Sequence, residues 1–114
     1  MSKSFPEKSK VSKVEAIVSK TDLIFELVAE IERGKVTSYG VLARLAGTGA
    51  RAVGRILHGN NDADRFPCHR VVRVDGSLAG GYAFGGRDTQ RKLLEAEGVK
   101  FKNDRVTPEC FMDL

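Results

Sequence analysis

The sequence has no apolar run as long as a membrane span requires. It also has no apolar segment near its N-terminus of the kind a secretory signal carries. A membrane protein and a secreted protein are both set aside on these grounds. An intracellular location is expected, in cytoplasm and nucleoid or in a nucleus. Cysteine is scarce, with Cys68 and Cys110 alone and no Cys-x-x-Cys pair. Two thiols could form one disulfide, but a reducing compartment keeps them apart. Internal repeats and low-complexity segments are absent. What is present fits one ordinary domain: 114 residues, 41% hydrophobic and 30% charged. The net charge of +4 is shared by DNA-binding modules and by many plain soluble proteins, and it leans towards nucleic acid.

Residues 1–20 are polar and lysine-rich, with Lys3, Lys8, Lys10, Lys13 and Lys20 against Glu7 and Glu15. They read as a solvated, basic arm that would add non-specific attraction to phosphates. Val14, Ile17 and Val18 hint at a short ordered piece within it. The remainder, 21–114, reads as the folded domain. "TDLIFELVAEIERGK" predicts a helix capped by Thr21 or Asp22 and stopped by Gly34. Leu23, Leu27 and Ile31, widened by Ile24 and Val28, form its core face. "VTSYGVLARLAGTGARAVGRILHGN" predicts two short helices joined by a glycine turn, the helix-turn-helix pattern. Thr37 or Ser38 caps the first, whose apolar residues are Val41, Leu42 and Leu45. The second runs from about Ala50 to Leu57 with Val53, Ile56 and Leu57 inward.

The outward residues of that second helix are Ala50, Arg51, Ala52, Gly54 and Arg55. A major-groove reader aims Asn, Gln or Arg at base edges. Small residues plus an arginine suit close approach to a narrow minor groove. They also suit tight packing of one helix on another. Beyond a polar loop, "PCHRVVRVDGSLAGGYAFGG" predicts a strand, a turn at Asp75-Gly76, a short return strand and a glycine-rich loop. "RDTQRKLLEAEG" predicts a helix with Leu93, Leu94 and Ala96 inward and Gly98 as its stop. "VKFKNDRVT" predicts a last hairpin turning at Asn103-Asp104. The fold class is therefore α+β and mainly helical, a winged helix-turn-helix-like DNA-binding domain with a small β-hairpin.

A lone cysteine is usually a small buried hydrophobe, and Cys110, with no basic neighbour, is read that way. Cys68 differs. Pro67 fixes its own φ and biases Phe66 away from helix, so the thiol stands at a rigid strand start. His58, Arg65, His69 and Arg70 are nearby in sequence, and positive neighbours lower a thiol pKa. Adjacent strand residues point to opposite faces, so a regular strand keeps His69 from touching the Cys68 sulfur. Either the backbone is irregular here or a water bridges ring and sulfur. The histidine then needs an acceptor to fix its tautomer, and Glu95 and Glu97 are available. Cys68, His69, His58 and Cys110 could ligate zinc, but their spacing matches no common zinc pattern, and no metal is expected.

These residues resemble the DNA-binding, active-site domain of the O6-alkylguanine-DNA alkyltransferases. "PCHRV" is similar to the family's reactive-cysteine motif and "GKVTSYGVLA" to its tyrosine-bearing helix-turn-helix start. "RAVGRILHGN" resembles its recognition helix and "LLEAEG" its closing helix, and the spacing from Asn60 to Cys68 agrees. The resemblance runs from Thr21 to Gly98. It implies a methylated-DNA–protein-cysteine S-methyltransferase that flips O6-alkylguanine from double-stranded DNA and moves the alkyl group irreversibly onto Cys68, once per molecule. It implies that His69, held by Glu97, deprotonates Cys68 through a water, and that Asn60 ties the recognition helix to the active site. Tyr39 would turn the nucleotide and donate to the guanine, while Arg51 fills the gap in the base stack. Ala50, Ala52 and Gly54 would let the helix lie in the minor groove. Val71, Tyr82 and Ala83 would line the base pocket. No cofactor is implied, and a monomer is expected.

Two departures bear on function. Full-length members carry a further N-terminal domain, for which this length leaves no room. Alkyltransferase-like proteins are also short; they bind alkylated DNA without repairing it and replace the cysteine by Trp or another residue. The ending "QRKLLEAEGVKF" is similar to theirs, so the alternative is a non-enzymatic sensor that recruits another pathway, such as nucleotide-excision repair. In addition, "GSLAGGYAFGG" is longer than the usual pocket loop, which implies room for bulkier adducts.

Overall fold

Ser19 accepts a hydrogen bond from the Asp22 amide and caps α1 (Lys20–Ala29). The structure, a computed structural model, describes residues 19–114. The basic arm expected over 1–20 therefore lies outside the described residues, apart from Ser19 and Lys20, and so does the ordered piece at Val14, Ile17 and Val18. The cap falls at Ser19 rather than at Thr21 or Asp22, because a serine hydroxyl there reaches the third amide along. The helix also ends at Ala29, earlier than Gly34. The Glu30 amide turns onto the Leu27 and Val28 carbonyls, and the chain continues irregularly to Gly34. There a φ of +86° and a backbone approach to Glu97 (an added Cβ would lie 3.1 Å from its carbonyl oxygen) require glycine. Ile24, Val28 and Ile31 are fully buried, whereas Leu23 is exposed.

A two-residue strand, β1 (Thr37–Ser38), leads into α2 (Tyr39–Ala46). Ser38 caps α2 through the Val41 amide, and Gly47 closes it in the left-handed conformation at φ +72°. Gly49 then starts α3 (Ala50–His58). Helices α1, α2 and α3 pack around Leu42, Ala43, Ala46, Val53 and Leu57. Leu45, expected inside, is exposed: two residues past the buried Leu42-Ala43 pair and one before the buried Ala46, it falls off the inward stripe.

The expected strand at Cys68 is one turn of 3-10 helix, Cys68–Arg70, and only Val71–Val72 are extended as β2. Its partner is not a return strand after Asp75-Gly76 but β1, in parallel, with Thr37 opposite Val71. The Asp75-Gly76 turn does form: Asp75 accepts from the Ser77 amide and Gly76 sits at φ +88°. The return stops after one bond, from the Arg73 amide to the Ser77 carbonyl, and the Val106 amide donates to the Gly76 carbonyl, which docks the turn on the C-terminal hairpin.

Helix α4 (Gly86–Ala96) buries Leu94 and Gln90, while Leu93 and Ala96 face solvent. β3 (Phe101–Lys102) and β4 (Arg105–Val106) form the expected hairpin, with Asn103 and Asp104 both at positive φ. Strand alternation in β2 joins the two halves of the core. Val71 packs with the three helices, and Val72 packs with Leu78, Leu94, Val99 and Val106 on the hairpin side. The short parallel pair is thus the wall between the two clusters, and the 3-10 turn carrying the thiol projects from its N-terminal end.

Candidate active site

The turn at Cys68–Arg70 begins with Pro67, and the Arg70 amide donates back to the Pro67 carbonyl at 3.0 Å. A 3-10 turn advances about 120° per residue. Cys68, His69 and Arg70 therefore fan out to three different surroundings, which an alternating strand could not achieve. Cys68 is buried among α3, Tyr82 and Val71. Its sulfur accepts from Asn60 Nδ2 at 3.2 Å, and the same nitrogen donates to the Phe66 carbonyl at 2.8 Å. Asn60 stands two residues past the end of α3, after Gly59, so one amide fastens the end of that helix to the thiol.

His69 points the other way. Its Nε2 lies 2.9 Å from Glu97 Oε2, just beyond the end of α4. Arg70 completes the cluster: its Nε and one terminal nitrogen grip the two Glu97 oxygens, each at 2.9 Å, and the other donates to the Ile31 carbonyl at 2.7 Å. The carboxylate is thus held by a bidentate guanidinium and an imidazole. Burial raises its pKa, but the hydrogen bonds from Arg70 and His69 outweigh that and leave it below its ordinary value. An ionised carboxylate only accepts, so Nε2 carries the hydrogen and Nδ1 is left with its lone pair. Burial lowers the His69 pKa against the pull of Glu97, which keeps the ring neutral and able to accept a proton.

The expectation that basic neighbours lower the thiol pKa does not hold. Burial pushes the Cys68 thiol up, and the Asn60 hydrogen bond offsets only part of this. Arg70 is committed to Glu97, while His58 and Arg65 lie on exposed positions. Burial, and next the Cys68 sulfur, also raise Tyr39, keeping its hydroxyl protonated as a donor.

Tyr39, Gly54, Leu57, His58, Gly81, Tyr82, Ala83 and Gln90 surround the thiol, leaving a cavity of about 10 Å³. Tyr82 and Ala83 are therefore at the expected place. Val71 does not line this cavity; its amide donates to the Cys68 carbonyl and its carbonyl accepts from Gln90. Gln90, which also holds the His69 carbonyl, gave no sequence signal beyond lying mid-helix. Arg70 was visible as a charge but not as the clamp on Glu97. Among the described residues, no three His, Cys, Asp or Glu side chains converge to hold a metal.

Outside the thiol cavity runs an open groove of about 870 Å³. Ala50, Arg51, Gly54 and Arg55 of α3 form one bank with Tyr39; Arg73 and Val74, beyond β2, form the other. Val74 is 81% exposed. Ala52 is half-buried and does not line the groove. Gly54 decides between the two readings of the small residues, since an added Cβ there would meet nothing within 4 Å. Its smallness serves no packing among the described residues and leaves the groove floor flat.

A sequence model described as the DNA-binding domain of 6-O-methylguanine DNA methyltransferase matches residues 20–99. The chain belongs to this family. A bifunctional methyltransferase/endonuclease of Picrophilus torridus is 40% identical over 85 residues, which are 73% of this chain and 28% of that protein. The methylated-DNA–protein-cysteine methyltransferase of Rattus norvegicus is 39% identical over 68% of this chain and 37% of its own length. The chain thus spans well under half of both curated relatives. Among solved structures, S. pombe Atl1 in complex with damaged DNA containing O6-carboxymethylguanine superposes with a TM-score of 0.72 at 25% identity, covering 93% of this chain and all of the other. The O6-methylguanine-DNA methyltransferase from Pyrococcus kodakaraensis gives 0.62 at 36% identity, covering 73% of this chain and 48% of the other. No described helix is long and apolar enough to cross a membrane.

Proposed function

We propose that this chain repairs double-stranded DNA by taking the alkyl group of O6-alkylguanine onto Cys68, irreversibly and once per molecule. The carrying observation is that one asparagine, Asn60, links the end of the groove-lining helix α3 to the sulfur at 3.2 Å. A duplex seated on α3 would bring its minor groove against the flat floor at Gly54. An alkyl group inside the stack is out of reach, so the nucleotide is extruded; Arg51 fills the gap and Tyr39 turns the nucleotide. The thiol gives its proton through a water to His69 Nδ1, whose ring is steadied by Glu97. The sulfur then bonds to the alkyl carbon as the carbon–O6 bond breaks. The electron pair stays on the guanine, which takes a proton from Tyr39 and departs. The thioether is stable, which is why the protein is consumed. These steps call for no metal and no organic cofactor.

The similarity to Atl1 along nearly the whole chain favours a second reading, a lesion sensor that binds O6-alkylguanine and recruits another repair pathway. Cells carrying Cys68→Ser separate the two. Under a methylating agent, an alkyltransferase loses its protection with the thiol, and a sensor keeps it.

A further inference from the structure

The thiol cavity of about 10 Å³ has room for about one water molecule. It adjoins the groove of about 870 Å³, and the two share Tyr39, Gly54, His58 and Gly81 as lining. The boundary between them is the line where α3 meets the glycine-rich loop over 79–86. One side-chain hydrogen bond crosses that line: His58 Nδ1 lies 3.1 Å from the Gly81 carbonyl oxygen. A carbonyl only accepts, so Nδ1 donates. Gly81 itself is exposed and an added Cβ there would meet nothing, so the loop's packing anchor is the next residue, the buried Tyr82, and not Gly81. Gly80, Gly85 and Gly86, at φ +90°, +136° and +77°, give the loop joints on both sides.

We propose that His58 is a positioning residue, a latch that holds the Gly81 segment shut over Cys68 and sets which reagents and adducts reach the sulfur. With the bond made, the groove ends at the loop. With it broken, Gly81 lifts and the groove runs through to the thiol. The adduct-size consequence rests on Cys68 being the alkyl acceptor; the latch itself does not.

The test compares the wild-type chain with His58→Ala and His58→Asn. The asparagine amide can take the place of Nδ1–H. Each is labelled with iodoacetamide over a range of pH, and the rates at Cys68 and Cys110 are read by peptide mass spectrometry. Cys110 is buried in the other core cluster and reports any general loosening. His58→Ala is expected to label Cys68 about tenfold faster at every pH, which corresponds to about 1.4 kcal/mol, the scale of one hydrogen bond. Cys110 stays at its wild-type rate, and His58→Asn restores slow labelling. Equal Cys68 rates in wild type and His58→Ala, a rise shared by Cys110, or a mere displacement along the pH axis would each overturn the latch. Free O6-benzylguanine as a second probe should give the same order of benzyl transfer. Absence of benzyl transfer in every variant, with the iodoacetamide order intact, would contradict the alkyl-acceptor reading and still support the latch.

Discussion

Asn60 Nδ2 donates to the Cys68 sulfur at 3.2 Å and to the Phe66 carbonyl at 2.8 Å, while Asn60 Oδ1 accepts from the Asp62 amide at 3.0 Å. One side chain thus holds the thiol, the segment leading to it and the turn after α3. Its hydrogen bond also favours the thiolate against burial, ahead of the backbone amide's smaller effect.

Asn60→Ala should therefore act twice. Losing the donor raises the thiol pKa further, so the pH profile of Cys68 alkylation by iodoacetamide moves to higher pH. The Phe66 carbonyl keeps the Cys68 amide at 2.7 Å as its donor, so losing the Asn60 hydrogen bond to it costs about 0.5–1.5 kcal/mol, read as a lower midpoint in urea. An unmoved pH profile would remove Asn60 from its place beside the sulfur.

Glu97→Gln should destabilise more than an exposed charge change would. It leaves the partly buried Arg70 guanidinium without its anion, and breaking such a pair costs about 3 kcal/mol or more. It should also slow Cys68 transfer, because His69 loses the carboxylate that fixes its Nε2 hydrogen. A urea midpoint within experimental error of wild type would contradict the clamp.

Acid should weaken the fold through the same cluster. Burial lowers His69 from its ordinary value of 6.5. Glu97, despite burial, is lowered from 4.5 by Arg70 and His69. Both groups bind protons more readily in the unfolded chain, so the stability they contribute is present above those unfolded values. As pH falls it is lost, first below 6.5 through His69 and then below 4.5 through Glu97. Urea midpoints measured downward from pH 7 should fall across both windows, and Glu97→Gln should flatten the lower one. A flat profile to pH 4 would refute this.

Gly54→Leu separates fold from groove. Glycine inside a helix costs about 0.5–1 kcal/mol relative to alanine, and at Gly54 a side chain meets only open space. Thermal unfolding should stay at or above wild type. Affinity for duplex DNA should drop about tenfold or more, about 1.4 kcal/mol, because the leucine stands on the groove floor. Retained affinity would place the DNA elsewhere.

Local chemistry made several elements legible in the sequence. Ser38 and Gly47 frame α2, and Asn103-Asp104 turns the last hairpin. Asn60 and Glu97 came from the family resemblance, since local chemistry left Glu95 and Glu97 equal, and the structure places Asn60 on the Cys68 sulfur and Glu97 on His69. What was hidden depends on contacts made at long range. The parallel pairing of Thr37 with Val71 leaves no periodic trace in two-residue strands. The 3-10 turn at Cys68 follows from Pro67 and from anchors at Asn60 and Glu97, and nothing in "CHRVV" separates it from a strand. Asp75-Gly76 does turn the chain and Ser77 pairs back onto Arg73, but Val106 binds the turn itself at Gly76 and no return strand follows. Leu23, Leu45 and Leu93 fit a helical stripe by count and still lie outside, because each stripe is narrow where its helix meets few neighbours.

The intact mass of the protein after incubation with a duplex containing O6-methylguanine tests the central claim most directly. The account predicts a gain of one methylene per molecule, located by fragmentation on Cys68 and absent from Cys110, with the guanine restored in the DNA. Unmodified protein still bound to a duplex that keeps its methyl group would contradict it.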